Sequence, residues 1–422
     1  MKLETLKDEE YRIMENPNKT ENDMKTLQLL RTEIRETEVN EILKESNILT
    51  MMINEIGKKV VGEQETIKVV LLSACGAFVN NAQIASYNLM VNSEAGAGKD
   101  YVVGKTLEIF DEEIVLSRTR ISPTAFTYWK TPYTTKDGTE YNMDWTWNGK
   151  ICYLEDVSSS VMNHEVFKVM CSSGSYATVV IKQVAYDKKI EGKPVMIVTS
   201  ATAEPNPELT RRFTIVSLDE SVNQTEEIMK LQAKQDANNL ENGYNENITN
   251  ALMQLKRVDV RVPYAEKLSE ILPSKSIVMR THFQRFLDYI KASAALNQYQ
   301  RASDVDEYVL ANGEDYNNAR DVLLKLTSNN SMIPLTVNDK NMITLFETDV
   351  FEPITVRELE AKVTFVSQKQ IYNILDKLVK YGFLKKSTRT DEQDSRRSST
   401  VFRLAEKIGT ISIPKWEEIK SL

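Results

Sequence analysis

The 422 residues include only three cysteines and two histidines. Cys75, Cys152 and Cys171 are scattered among apolar neighbours without a C-x-x-C spacing, and His164 and His282 stand apart. A structural zinc site needs about four such ligands at short spacing, so this set argues against one. Cysteine used this way fits a reducing compartment, and a cytoplasmic location is expected. Long apolar runs are missing too. No stretch approaches the ~20 residues needed to cross a bilayer, and the Met1–Arg12 segment is too charged for a signal peptide. No membrane partner is expected. A basic excess is also absent. The formal net charge of −8 argues against a uniformly basic nucleic-acid sleeve but leaves room for a local basic surface. There is no internal repeat and no low-complexity tract.

What remains is globular composition, 41% hydrophobic and 27% charged, in a chain too long for one compact core. Two or three domains are expected. Leu27, Leu29, Leu30, Ile34, Val39, Ile42, Leu43 and Ile48 recur at helical intervals, which makes residues 1–55 a solvated helical arm packed on a neighbour. From Val60 the texture changes. Apolar strands at Leu89–Val91, Ile151–Leu154 and Val195–Ser200, separated by helical segments, predict a largely parallel α/β core over 56–220. Residues 221–328 are helical with a loose middle around Asn238–Asn247. Asn329, Asn330, Ser331 and Pro334 mark a linker over 329–335.

The most informative segment follows the first strand: Ser93-Glu94-Ala95-Gly96-Ala97-Gly98-Lys99-Asp100, leading into Tyr101. A glycine-rich turn between a strand and a helix is the setting of a phosphate-binding P-loop. Backbone N–H groups face a polyphosphate there, and a lysine reaches its outer phosphates. Residues 94–101 are the candidate nucleotide contacts. Two positions depart from G-x-x-x-x-G-K-[ST]. Ser93 replaces the first glycine, and Asp100 replaces the hydroxyl that touches magnesium. Some fifty residues on, an apolar strand ends in Glu155-Asp156, as a Walker B element does. Such a carboxylate pair can hold magnesium and polarise a water, and Asp100 joins Glu155 and Asp156 as a candidate metal ligand. Glu155 is assigned to the metal shell and Asp156 to the base. Their order is the reverse of the commoner Asp-Glu. The third strand ends in hydroxyls, Thr199-Ser200, and Thr210-Arg211-Arg212-Phe213 precedes another strand.

In this order, these motifs make residues from about 55 to 300 resemble an AAA+ ATPase. Three further segments are similar to helicase-like members related to the MCM and superfamily-III proteins, which are common on viruses and plasmids. Ser175–Ile181 and Val184–Ile190 can pair as an inserted hairpin. Leu218-Asp219-Glu220-Ser221 resembles the segment leaving the core. Arg280 to Phe286, running into Ile290–Ala294, resembles a lid helix. The resemblance implies ATP with magnesium bound between subunits of a ring, expected to be a homo-hexamer. It implies Thr199 or Ser200 as the γ-phosphate sensor, Arg212 or, second, Arg211 as a finger reaching the neighbour's ATP, and Arg280 or, second, Arg285 as a lid arginine. It also implies hairpin lysines (Lys182, Lys188 or Lys189) on single-stranded DNA in the pore. Ser93, Asp100 and the inverted acids bear on how magnesium is held and how briskly ATP is hydrolysed, more than on whether it binds.

Residues 336–422 read as three short helices and a β-hairpin, the layout of a winged helix. Thr355 and Glu358 form a capping box. Ile371, Ile374, Leu375 and Leu378 bury one face of the third helix, leaving Gln368, Lys369 and Gln370 at its exposed start. The hairpin tip carries Arg389, Arg396 and Arg397. With seven basic and three acidic residues between Lys380 and Arg403, this part is locally basic and is expected to hold duplex DNA. The reading is a replicative helicase or replication initiator of a mobile element. Two alternatives stay open: an ORC-type, ATP-switched loader that does not translocate, and a DNA-binding regulator with a decayed ATPase.

Overall fold

The computed structural model describes residues 2–15, 21–94, 96–129, 133–134, 140–141, 145–181, 183–200, 212–238, 244–271, 279–328, 337–348, 352–380, 383–390, 398–405 and 413–420. In chain order the first nine strands are β1 (Leu89–Asn92), β2 (Val115–Arg118), β3 (Tyr133–Thr134), β4 (Glu140–Tyr141), β5 (Ile151–Leu154), β6 (Ser175–Ile181), β7 (Val184–Ile190), β8 (Val195–Ser200) and β9 (Thr214–Val216). Five of them form a sheet in the order β2-β5-β8-β1-β9, with every pairing parallel. The three expected apolar strands are all in it. β2 was not anticipated, because Val115-Leu116 is too short an apolar run to stand out.

A parallel sheet needs cover on both faces, so its strands read as continuous apolar runs. Alternate side chains then divide between two cores. Leu89, Val91, Ile151, Tyr153, Val195, Ile197 and Val216 face the larger one, with helices Ile48–Gly57, Gln64–Cys75 and Lys99–Leu107 and helical residues between 246 and 323. Met90, Cys152, Leu154, Met196, Val198 and Ile215 face the other, with Phe126, Trp147, Phe167 and Phe213. The three cysteines are buried and unbonded, two in the second core and one in the first.

The arm is a helical pair, Lys2–Glu15 and Glu21–Leu43. Its neighbour is the chain's own helix Glu246–Met253: Arg35 pairs with Glu246 at 3.4 Å, and Asn247 donates to Glu38 at 2.6 Å. Leu29, counted in the apolar pattern, points to solvent, whereas Leu27, Leu30 and Ile34 are buried. In the expected lid, helix Val222–Asn238 runs along the P-loop end, and helices Met279–Leu296 and Gly313–Ser328 bury their apolar faces in the larger core. Two short strands, β10 (Val260–Arg261) and β11 (Val309–Leu310), pair in parallel there. Among the described residues no helix is long and apolar enough to cross a membrane.

The expected linker lies outside the described residues. Beyond it come helix Val337–Thr348, β12 (Ile354–Thr355), helices Val356–Glu360 and Gln368–Lys380, and an antiparallel hairpin of β13 (Leu384–Thr390) and β14 (Ser398–Leu404). β12 adds to β14 as a third strand. This module has its own apolar core, in which Phe346, Leu359, Leu375, Leu378 and Phe402 are buried. The chain then returns: Ile413 and Ile419 are buried in the larger core, and Trp416 packs over Gly313 and against Tyr264.

Candidate nucleotide site

β1 ends at Asn92, and helix Lys99–Leu107 begins seven residues later, capped by Gly98. Gly96 and Gly98 hold φ of +91° and +84°. A Cβ at either would meet no atom within 4 Å, so what favours glycine there is the left-handed backbone, not space. The turn aims the helix N-terminus, with its unpaired N–H groups and partial positive charge, at the space above the sheet. Ser93, in the first glycine's place, has a structural use. Its hydroxyl accepts the Leu218 N–H at 2.8 Å, tying the loop to the segment that leaves β9. The Glu94 N–H donates to Glu220 at 3.0 Å in that same segment.

Two further strand ends converge on this loop. The nearly buried Lys99 ammonium lies 3.5 Å from both the Asp100 and the Asp156 carboxylate. The Thr199 hydroxyl, at the end of β8, donates to the Asp100 carboxylate and accepts the Asp156 N–H at 2.9 Å. Tyr153 on β5 donates to the Asp100 carbonyl at 3.3 Å. Burial, then the Asp100 and Glu155 carboxylates, raise the pKa of the Tyr153 phenol, so it stays a donor. Asp156 holds φ of +41°, a left-handed conformation uncommon for a side-chain-bearing residue that turns its carboxylate back toward Lys99. Glu155 is anchored through its N–H to the Arg118 carbonyl at 3.0 Å. Its carboxylate makes no hydrogen bond or ion pair among the described residues. Ser200 points away, 3.4 Å from the Val157 carbonyl, so Thr199 is the hydroxyl that joins the cluster.

Among the described residues no group of three or more acidic, cysteine or histidine side chains is arranged to enclose an ion. Asp100 and Asp156 offer hard oxygen donors beside the P-loop, and magnesium characteristically takes one or two carboxylates and completes its shell with phosphate oxygens and water. The residues present fit such an ion, which would supply charge neutralisation to the phosphates.

A cleft of about 370 Å³ adjoins the loop, lined by Lys59, Val60, Val61, Glu63, Gly96–Gly98, Tyr101, Leu218, Asp219 and the Gln224, Ile228 and Leu231 face of helix Val222–Asn238. The sequence reading assigned none of these but the loop residues and Tyr101. Gly62 holds φ of +65° with the Gln224 amide against it, and Gln224 donates to the Val61 carbonyl at 2.8 Å. The Val60-Val61-Gly62 turn was the available signal, but its partner lies more than 160 positions away. The cleft has apolar walls and a polar rim, beside the lysine, as a nucleoside next to its phosphates requires.

The other expected residues fall elsewhere. Lys188 and Lys189 lie on hairpin β6–β7, which has the expected bounds and pairs Tyr176 with Lys189. The Lys188 ammonium sits 5.9 Å from the Tyr128 ring centroid, and Lys189 is exposed on the opposite face beside Asp187. The hairpin leads into the start of β8, so it lies at the end of the sheet opposite Thr199. Arg212 precedes β9, also at that far end, and donates to the Lys168 carbonyl at 3.1 Å and to the Ser172 hydroxyl. Arg285 is buried beside Tyr289 and Asp288, whose partners Ser73, Ser86 and Tyr87 precede β1. Burial lowers its pKa. In the C-terminal module Gln370 accepts from the Ser367 N–H and hydroxyl, both at 2.9 Å, and Gln368 donates to Glu360 at 2.7 Å. Arg389 donates to Glu358 at 2.9 Å, while Lys369 is exposed. Ala95, Lys182, Arg211, Arg396, Arg397 and the Arg280 side chain lie outside the described residues.

No curated protein gives a match. A family model described as the MTBMA_p00010 P-loop domain matches residues 33–255. That span holds the P-loop, the acids of β5, Thr199 and the cleft helix, and it covers more than half of the chain. The chain therefore belongs to the MTBMA_p00010 P-loop domain family, a nucleotide-binding P-loop NTPase.

Proposed function

We propose that the protein is an ATP-driven DNA motor of the AAA+ type, a replicative helicase or replication initiator of a mobile element. It would act as a homo-oligomeric ring with ATP between neighbouring copies. One observation carries the reading: β8 joins the two ends of the machine. Its last residues bring Thr199 against Asp100 and Asp156, and its first residues follow hairpin β6–β7. Six extended residues span about 17–20 Å, so a change in Thr199's partners can reach the hairpin through one rigid strand buried along its whole length. In this reading Lys99 holds the outer phosphates, Glu155 and Asp156 serve magnesium and the attacking water, and Thr199 orients that water. Arg212, at the far end of the sheet from its own P-loop, acts on the neighbour's nucleotide. Lys182, Lys188 and Lys189 contact the single strand, and the C-terminal module, read as a winged helix, holds duplex through Lys369, Arg389, Arg396 and Arg397.

Asp100 in the hydroxyl's place favours a second reading, an ATP-switched loader that binds DNA without translocating. DNA-stimulated hydrolysis and strand displacement on a forked substrate separate the two, with native protein beside Lys99→Ala and Arg212→Ala. The motor predicts unwinding that both substitutions abolish, and partial recovery when the two variants are mixed, since each supplies what the other lacks. ATP-dependent DNA binding with no unwinding replaces the motor with the loader. DNA binding indifferent to ATP and to Lys99→Ala sinks both.

A further inference from the structure

We propose that Asp100 makes this site selective for the metal complex of a nucleoside triphosphate and turns the metal-free triphosphate away. The inference rests on the nucleotide-site reading and adds the form in which the nucleotide must arrive. At this position the P-loop pattern places a neutral Ser or Thr. Here it carries a carboxylate, held at the mouth of the loop by the Thr199 hydroxyl and 3.5 Å from Lys99. The same ammonium is 3.5 Å from Asp156. One lysine thus serves two carboxylates, and the three side chains together carry one excess negative charge where a polyphosphate has to bind.

A triphosphate brings three to four more negative charges. The loop N–H groups and the helix N-terminus offset roughly half a charge, which a hydroxyl in Asp100's place would leave fully available. With the carboxylate there, one unit charge at ~5 Å in a medium of effective dielectric ~20 weakens binding of the bare triphosphate on the order of 100-fold. A divalent ion reverses the sign. Asp100 would serve it as a hard oxygen donor, which would leave Lys99 free for the phosphates. Thr199 now donates to Asp100, so the sensor hydroxyl and the metal would share one carboxylate.

The test is binding of a fluorescent ATP analogue to the full chain, with magnesium or with excess EDTA, for the native protein, Asp100→Ser and Asp100→Asn. Asn keeps the shape and a carbonyl oxygen for Thr199 but loses the charge, so it guards against a folding artefact in the serine variant. The native protein is expected to lose about 100-fold or more in affinity when the ion is removed, and both variants about 10-fold or less. Equal losses in all three proteins, or native binding that ignores EDTA, overturn the inference. A native protein that binds no nucleotide even with magnesium overturns the nucleotide site itself, a distinguishable failure.

Discussion

The carboxyl end of the sheet and the C-terminal module were both assigned function from residue types, yet they treat those residues oppositely. At the sheet, Lys99, Asp100, Asp156 and Thr199 come from three separate segments and meet one another. In the module, Gln370 closes the start of its own helix, Gln368 reaches Glu360 and Arg389 folds onto Glu358. Backbone dictates the first arrangement: a strand, a tight turn and a helix leave Lys99 and Asp100 one place to go. The second is a surface, where a polar side chain takes the nearest partner, often a helix end. Convergence from distant segments is therefore stronger support for chemistry than composition is.

The sharpest way to break that contrast is Lys99→Ala. The substitution leaves two carboxylates facing each other and removes the phosphate cation, so nucleotide affinity should fall by at least about 100-fold. DNA affinity without nucleotide should stay unchanged, because the module shares no side chain with the cluster. Nucleotide binding within about 3-fold of native, measured by titration, would mean the cluster is not the phosphate site. Next in size is Leu375→Ala. Leu375 is fully buried in the module's own core, and such truncations cost about 2–5 kcal/mol. Denaturant unfolding should show the module's transition moving alone. If the transition of the P-loop body moves equally, the two cores fold as one unit.

The three apolar strands of the sheet, the hairpin with its bounds, the order of helices in the module and the Thr355–Glu358 capping box were all legible, since each is written in local spacing or in an apolar run. The cleft was not. Lys59 to Glu63 and Gln224 to Gln235 become neighbours only when the sheet forms between them. The buried position of Arg285 was also hidden. An arginine on an amphipathic helix reads as solvated or functional, and nothing local says that its face turns into the larger core.

A smaller effect separates the two regions by pH. Asp288 is fully buried, accepting from Ser86 at 2.6 Å and Gln284 at 2.9 Å, and burial raises its pKa to about 6. The folded state then binds more protons than the unfolded state between about 4 and about 6. The P-loop body should lose stability as pH rises through that window, by an amount on the order of 3 kcal/mol, and level off above it. Asp288→Asn should flatten the dependence. A body transition that is flat from pH 4 to 6.5 in the native protein would show that Asp288 stays charged.

The module should respond to acid in the opposite sense and more weakly. Glu358 accepts the Thr355 N–H at 2.7 Å, its hydroxyl at 2.8 Å and Arg389 at 2.9 Å. These bonds, the Thr355 N–H foremost, hold its pKa down to about 2. A depressed carboxylate stabilises fully above its ordinary range and loses that contribution as pH falls, here from about 4.5 toward about 2. The group is exposed, so the gain is that of a cap, about 1 kcal/mol or less. Glu358→Gln separates cap from charge, because Gln also completes a capping box. Stability at pH 7 should change by only a few tenths of a kcal/mol, the acid window should vanish, and Arg389 should be released. If the module grips duplex through phosphates, the slope of log affinity against log salt should steepen by about 1. An unchanged slope would mean that Arg389 belongs to the cap alone, and the contrast between the two regions would then extend to the hairpin.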